Sequence, residues 1–138
     1  MSVDMTERTI DAYIDSLLGG GDFASFFSDD VLWTTMETGE EVRGREAVRD
    51  YIVALHTQAF HAAPEVKRFV VGDGVAALEA VFVGTHAGDF AGIPATGRQV
   101  RLPYAVVYDV ADERITALHA YFPIQALVNQ LQTAAPPG

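Results

Sequence analysis

The sequence predicts an α+β domain in which helices pack on one face of a curved, mostly antiparallel sheet that wraps a pocket. Three observations carry that expectation. Apolar residues recur at helical spacing in segments up to Phe60, the period changes to that of strands beyond Pro64, and no repeat, linker or composition break divides the 138 residues. A single domain over 1–138 follows, and the Ala, Pro and Gly content of 133–138 predicts a disordered tail there.

The elements follow in order. Asp4 and Glu7 stand three apart as a capping box, and Ile10, Tyr13, Ile14, Leu17 and Leu18 then mark one amphipathic helix, ended by Gly19, Gly20 and Gly21. Asp22 is placed to cap a short helical turn carrying Phe23, Phe26 and Phe27 toward the core, before a strand from Val31 to Glu37 rich in β-formers. Gly39 marks a hairpin whose second strand runs from Glu40 to Gly44. In the next helix Val48, Tyr51, Ile52, Leu55 and Phe60 share a face, while Arg45, Glu46, Arg49 and Asp50 face water, and Pro64 closes the connection. Four long antiparallel strands follow, from Val66, Val75, Arg98 and Arg114, with a Gly72-Asp73-Gly74 turn, a Gly/Pro-rich loop and an Asp112-Glu113 turn between them. Ile124 to Leu131 reads as a last short helix.

Composition narrows the function. Apolar residues make up 49% of the chain, including eight Phe, five Tyr and one Trp, which suffices for a continuous core. Nineteen acidic against nine basic residues give a formal net charge of −10, which would repel a phosphate backbone, so nucleic acid is not an expected partner. Cysteine is absent, which removes disulfides and thiol catalysis. The apolar runs are too short to span a membrane and the first residues lack a signal-peptide pattern, so a cytoplasmic protein is the expectation.

The run from Gly84 to Arg98, GTHAGDFAGIPATGR, is the most particular feature. Its four glycines and Pro94 can shape a long hairpin connection, and His86 and Asp89 can satisfy backbone groups within it. The same run resembles the strand-loop-strand segment of the SnoaL-like polyketide cyclase and ester cyclase family, within the nuclear-transport-factor-2-like superfamily. Gly20-Gly21-Asp22 followed by FASFFSDDVLW, and the helix start VRGREAVRDYI, resemble other segments of that superfamily. The resemblance covers roughly Thr6 to Leu131. It implies a cone-shaped, cystatin-like α+β fold enclosing an apolar small molecule, a homodimer, and acid/base chemistry without metal or cofactor.

In such cyclases the resemblance implies an Asp on the last strand, which takes a proton from an activated carbon so that the enolate closes a ring. Counting back from Gln130-Leu131, Pro123 stands at that position. The base position of the related ketosteroid isomerases falls near Thr35, and an epoxide-hydrolase-like acid on the last strand is missing too. With position 123 taken as inward, the period of two turns His119 and Tyr121 inward and Leu118, Ala120 and Phe122 outward. His119 is then the candidate proton carrier, with Tyr121 or Tyr13 as oxyanion donor. Tyr13, Trp33, Thr35, His86 and Tyr104 are candidate substrate-binding residues, although Trp33 also suits a plain core, and Tyr104 and Tyr108 also suit the opposite sheet face. His56 and His61 lack the clustered ligands a metal needs and read as surface or loop residues. Three readings follow: an acid/base cyclase or isomerase-type enzyme on an apolar cyclic substrate, a ligand-binding or accessory protein on the same scaffold, and a cofactor-free hydroxylase or hydrolase.

Overall fold

The computed structural model describes residues 2–132, so the tail expected at 133–138 lies outside the described residues. Helix α1 is Val3–Leu18. Its cap is Ser2, whose hydroxyl accepts the Met5 N–H at 3.1 Å. Asp4 falls inside the first turn, where its negative charge suits the positive end of the helix dipole. Ile10, Tyr13 and Ile14 form the buried stripe. Gly20, at φ 74°, turns the chain out of the helix.

A 3-10 turn, Phe23–Phe26, leads into strand β1, Phe27–Thr35, and the Asp22 side chain makes no capping bond. The strand begins earlier than its β-rich stretch suggested, because Phe27 already pairs with the last strand of the sheet. Arg45 secures this corner: its guanidinium donates twice to the Phe27 carbonyl, at 3.1 and 2.9 Å, and meets the Asp29 carboxylate at 2.8 Å. Strand β2 is Glu40–Arg43 and helix α2 is Arg45–Val53. From there the chain widens into a π-helical segment, Ala54–Ala59, rather than continuing as an α-helix to Phe60.

Strands β3 (Phe60–Val71), β4 (Val75–His86), β5 (Gln99–Ala111) and β6 (Arg114–Tyr121) precede helix α3, Ile124–Gln132. The six strands form one sheet in the order β2-β1-β6-β5-β4-β3. Every neighbouring pair is antiparallel except β1 with β6. Strand β3 starts at Phe60 and runs through Pro64, which is possible because β3 is an edge strand, where a residue without an N–H costs the sheet no ladder bond on its open side.

The core has two lobes along one sheet face. The larger packs α1, α2 and the 3-10 turn on β1, β4, β5 and β6 through Ile10, Tyr13, Phe27, Trp33, Ile52 and Leu118. The smaller gathers Phe60, Phe82, Phe122 and Leu127 near α3. Edge-on rings stitch it, Phe60 to Phe82 at 5.3 Å and Phe82 to Phe122 at 5.2 Å.

Gly84 on β4 lies tight against β3, where a Cβ would lie 2.7 Å from the Ala62 Cβ and 2.8 Å from the His61 carbonyl oxygen. Neither obstacle can swing away. Gly84→Ala should therefore destabilise the fold by about 1–3 kcal/mol through overpacking, read as a lower urea midpoint with an unchanged m-value.

Candidate functional site

Strand alternation decides what faces the interior. On β5, on β6 and just beyond its end, Tyr104, Val106, Tyr108, Leu118, Ala120 and Phe122 wall an internal cavity. Across it stand Tyr13 and Ile14 from α1, Trp33 from β1, and Ile52, Leu55 and His56 from α2 and the π-helical segment. Among the described residues, no carboxylate lines it. The expected parity is thus reversed: Leu118, Ala120 and Phe122 face in, whereas His119 and Tyr121 belong to the outer face of the sheet. The physical reason is the position of Pro123, which lies beyond the end of β6 at Tyr121 and fixes no strand parity. Pro123 borders a shallow surface depression with Met36, Glu37 and Pro103. His119 Nε2 sits 3.1 Å from the Asp109 carboxylate on β5, and Tyr121 is 51% exposed.

The cavity has a volume of about 40 Å³, room for only a few waters. It adjoins a groove of about 350 Å³ between the end of α1, the π-helical segment and the start of β3. Leu17, Leu18, Ile52, His56 and Pro64 belong to both. They form the partition between an inner chamber and its approach.

The polar equipment is mostly phenolic. Burial pushes the Tyr104 hydroxyl up to about 12. Tyr13 and Tyr108 are raised further, chiefly by burial and then by the other phenols of the cluster. The buried side-chain atom without a hydrogen-bond partner among the described residues is His86 Nε2, outside this cluster. The three phenol rings are held by edge contacts, Tyr13 to Tyr108 at 5.8 Å and Tyr104 to Phe122 at 5.4 Å. Trp33 is fixed differently, its indole N–H donating to the Thr35 hydroxyl at 3.0 Å and its ring 5.2 Å from that of Tyr51.

His56 is the imidazole of this wall. Its Nδ1 lies 2.8 Å from the Ile52 carbonyl oxygen, and its ring meets Phe82 edge-on at 5.6 Å. Burial lowers its basicity and the bond to Ile52 partly opposes that.

The Gly84–Arg98 run builds the flank of the site rather than its wall. His86, 1% exposed, accepts the Thr96 N–H at Nδ1, 3.1 Å away, and lies 2.9 Å from the Thr96 hydroxyl. Phe90 and Ile93 exchange backbone bonds across Ala91 and Gly92, both at positive φ, as in a primed turn. Ala87 and Gly88 both donate to the Ala59 carbonyl, at 2.9 and 3.0 Å. A Cβ on Gly88 would strike the Gln58 carbonyl, so the loop can lie flat on the π-helical segment only with glycine there.

The model of the SnoaL-like polyketide cyclases matches residues 13–131, nearly the whole described chain. The chain belongs to the SnoaL-like polyketide cyclase family. Solved structures agree on the nuclear-transport-factor-2-like fold. A candidate SnoaL-like polyketide cyclase from Jannaschia sp. CCS1 superposes with a TM-score of 0.84 at 18% identity, over 97% of this chain and 94% of that one. A candidate polyketide cyclase from Xanthomonas campestris pv. campestris gives 0.79 at 20% identity, over 94% and 98%. AclR from Streptomyces galilaeus, a candidate hydroxylase, gives 0.77 at 18%, over 99% and 87%. Among curated proteins, no sequence matches this chain.

Within this SnoaL-like cone the substrate-binding candidates separate. Tyr13, Trp33 and Tyr104 stand on the cavity wall, Thr35 braces Trp33 from behind, and His86 pins the β4–β5 loop outside the wall. His56, expected at the surface or in a loop, is a wall residue instead. Its only sequence signal was its place four residues after Ile52, which a helix brings to the same side.

The raised phenols set an alkaline limit. The native state keeps protons on Tyr13, Tyr104 and Tyr108 that the unfolded chain releases near pH 10, so stability falls as pH rises above that value and goes on falling toward the native values. Urea midpoints should drop between about pH 9 and pH 11, and absorbance at about 295 nm should show late-ionising tyrosines that titrate normally once unfolded.

Proposed function

We propose that this protein takes an apolar cyclic, polyketide-type compound into the cone and promotes proton transfer on it without metal or cofactor, in a cyclisation or isomerisation. One observation carries the reading: the phenols of Tyr13 and Tyr108, buried, and of Tyr104, partly buried, line a chamber whose other walls are hydrocarbon and aromatic apart from His56. A hydroxyl that faces such a chamber is a ready hydrogen-bond donor to a ligand carbonyl. The inner chamber alone is too small for such a ligand, so the bound compound extends across the partition into the groove.

The absence of a carboxylate from the wall supports a second reading, a carrier or accessory protein on the same scaffold. Turnover separates the two. Homodimerisation is part of the proposal, on the strength of the family resemblance, with the outer sheet face bearing Tyr121 as the surface. Light scattering should then show a dimer that Tyr121→Arg converts to monomer; a monomeric wild-type protein would sink this part.

Trp33, the single tryptophan, lies in the wall and reports occupancy. A bicyclic aryl ketone such as 2-tetralone should quench its emission saturably. Ala120→Phe, which fills the chamber, should weaken binding by about tenfold or more, equivalent to about 1.4 kcal/mol. Unchanged affinity in a folded Ala120→Phe protein would place the ligand elsewhere.

A further inference from the structure

Among the described residues, the wall offers no carboxylate to take a proton, yet it holds an imidazole that can. His56 Nδ1 lies 2.8 Å from the Ile52 carbonyl oxygen, which can only accept, so Nδ1 carries the hydrogen and the lone pair is on Nε2. The tautomer is set by the backbone. Phe82, edge-on at 5.6 Å, restrains the ring. His56 also belongs to both chamber and groove, so a ligand that spans the two must pass it. Its backbone is the π-helical segment, a rare geometry concentrated at functional sites, which the β4–β5 loop braces through the Ala59 carbonyl.

We propose that His56 is the catalytic base of this protein, acting at Nε2 on an apolar cyclic ketone or β-keto ester with an activated α-C–H. The proposal rests on reading the cone as a substrate site.

In the step, the α-C–H bond breaks and its proton bonds to Nε2, giving an imidazolium. The bonding pair forms the enolate C=C, and the carbonyl π pair moves to oxygen, where Tyr13, Tyr104 or Tyr108 donates a hydrogen bond. The enolate carbon attacks a second carbonyl of the same molecule, a C–C bond forms, and the new alkoxide takes the proton back from Nε2. Nothing is oxidised or reduced, and no co-reactant is needed.

The surroundings suit the role. Among the described residues, the titratable groups that line the chamber with His56 are the three phenols, the groove adds none, and α1, α2, β3 and β4 bring no charged side chain to either. In so apolar a place an isolated imidazolium is disfavoured, but an imidazolium beside its enolate is a neutralised pair. The neutral base prevails at pH 7, since burial holds the imidazole below its ordinary 6.5.

Deuterium uptake at C1 of 2-tetralone in D₂O, followed by proton NMR, tests the assignment. Wild-type protein should accelerate exchange over buffer containing equimolar imidazole. His56→Gln, which keeps a polar side chain but takes no proton, should lose about 100-fold or more of that acceleration while 2-tetralone still quenches Trp33. Wild-type exchange should rise with pH along a limb below 6.5 and then level off. That limb is read on the unmutated protein and is independent of how His56→Gln folds. Unaltered exchange by His56→Gln, or no acceleration by wild-type protein whose Trp33 is quenched, would overturn the base assignment and leave the cavity as a binding site. Absence of quenching in the wild type would overturn the substrate-site reading, and the base assignment with it.

Discussion

One backbone oxygen organises the working end of this molecule. The Ala59 carbonyl receives the N–H groups of both Ala87 and Gly88, so the end of the π-helical segment and the start of the β4–β5 loop are held at a single point. A carbonyl has two lone pairs, and both are engaged. Gly88 permits the contact, since any side chain there would meet the Gln58 carbonyl. His86 fixes the loop from its other side by reaching back to Thr96. The facing of His56 and Leu55 toward the chamber follows from this docking, because a segment free to relax to α-helical winding would turn them along its axis.

Much of this was legible in the chain. The glycine cluster after Leu18, the change of period at Pro64 and the hairpin signals gave the element order, because each rests on local backbone chemistry. Ser2, rather than Asp4, proved to be the first cap, and β1 and β3 each began several residues early. Those differences come from pairing with distant strands, which no local window contains. Phe60 shows this most clearly: its apolar character fits a helix face equally well, but it opens β3 opposite His86.

The site was less legible, for two separate reasons. Inward and outward faces of β6 differ by a single residue of register, and an anchor beyond the strand end assigned them in reverse, so His119 and Tyr121 exchanged places with Leu118, Ala120 and Phe122. His56 was read as a surface or loop residue because the extra residue in each π turn breaks the 3.6 period and because its partner is a backbone carbonyl, which sequence does not display. Tyr13, Trp33 and Tyr104 were legible because they lie well inside regular elements. Thr35 and His86, read as substrate-binding candidates, are buried, but each hydrogen-bonds a neighbour and neither lines the chamber.

The edges of the sheet carry a consequence for assembly. At one edge β2 is only the four residues Glu40–Arg43, with two glutamates facing solvent. At the other, β3 contains Pro64, which has no N–H to offer an incoming strand, and its neighbour Glu65 is bound to Arg101 at 2.7 Å. Short, charged or proline-bearing edges resist the addition of further strands. Growth of this sheet from molecule to molecule, the ordinary route from an open β-sheet to a fibre, is therefore opposed at both ends, and copies that associate must do so through broad surfaces rather than through backbone pairing.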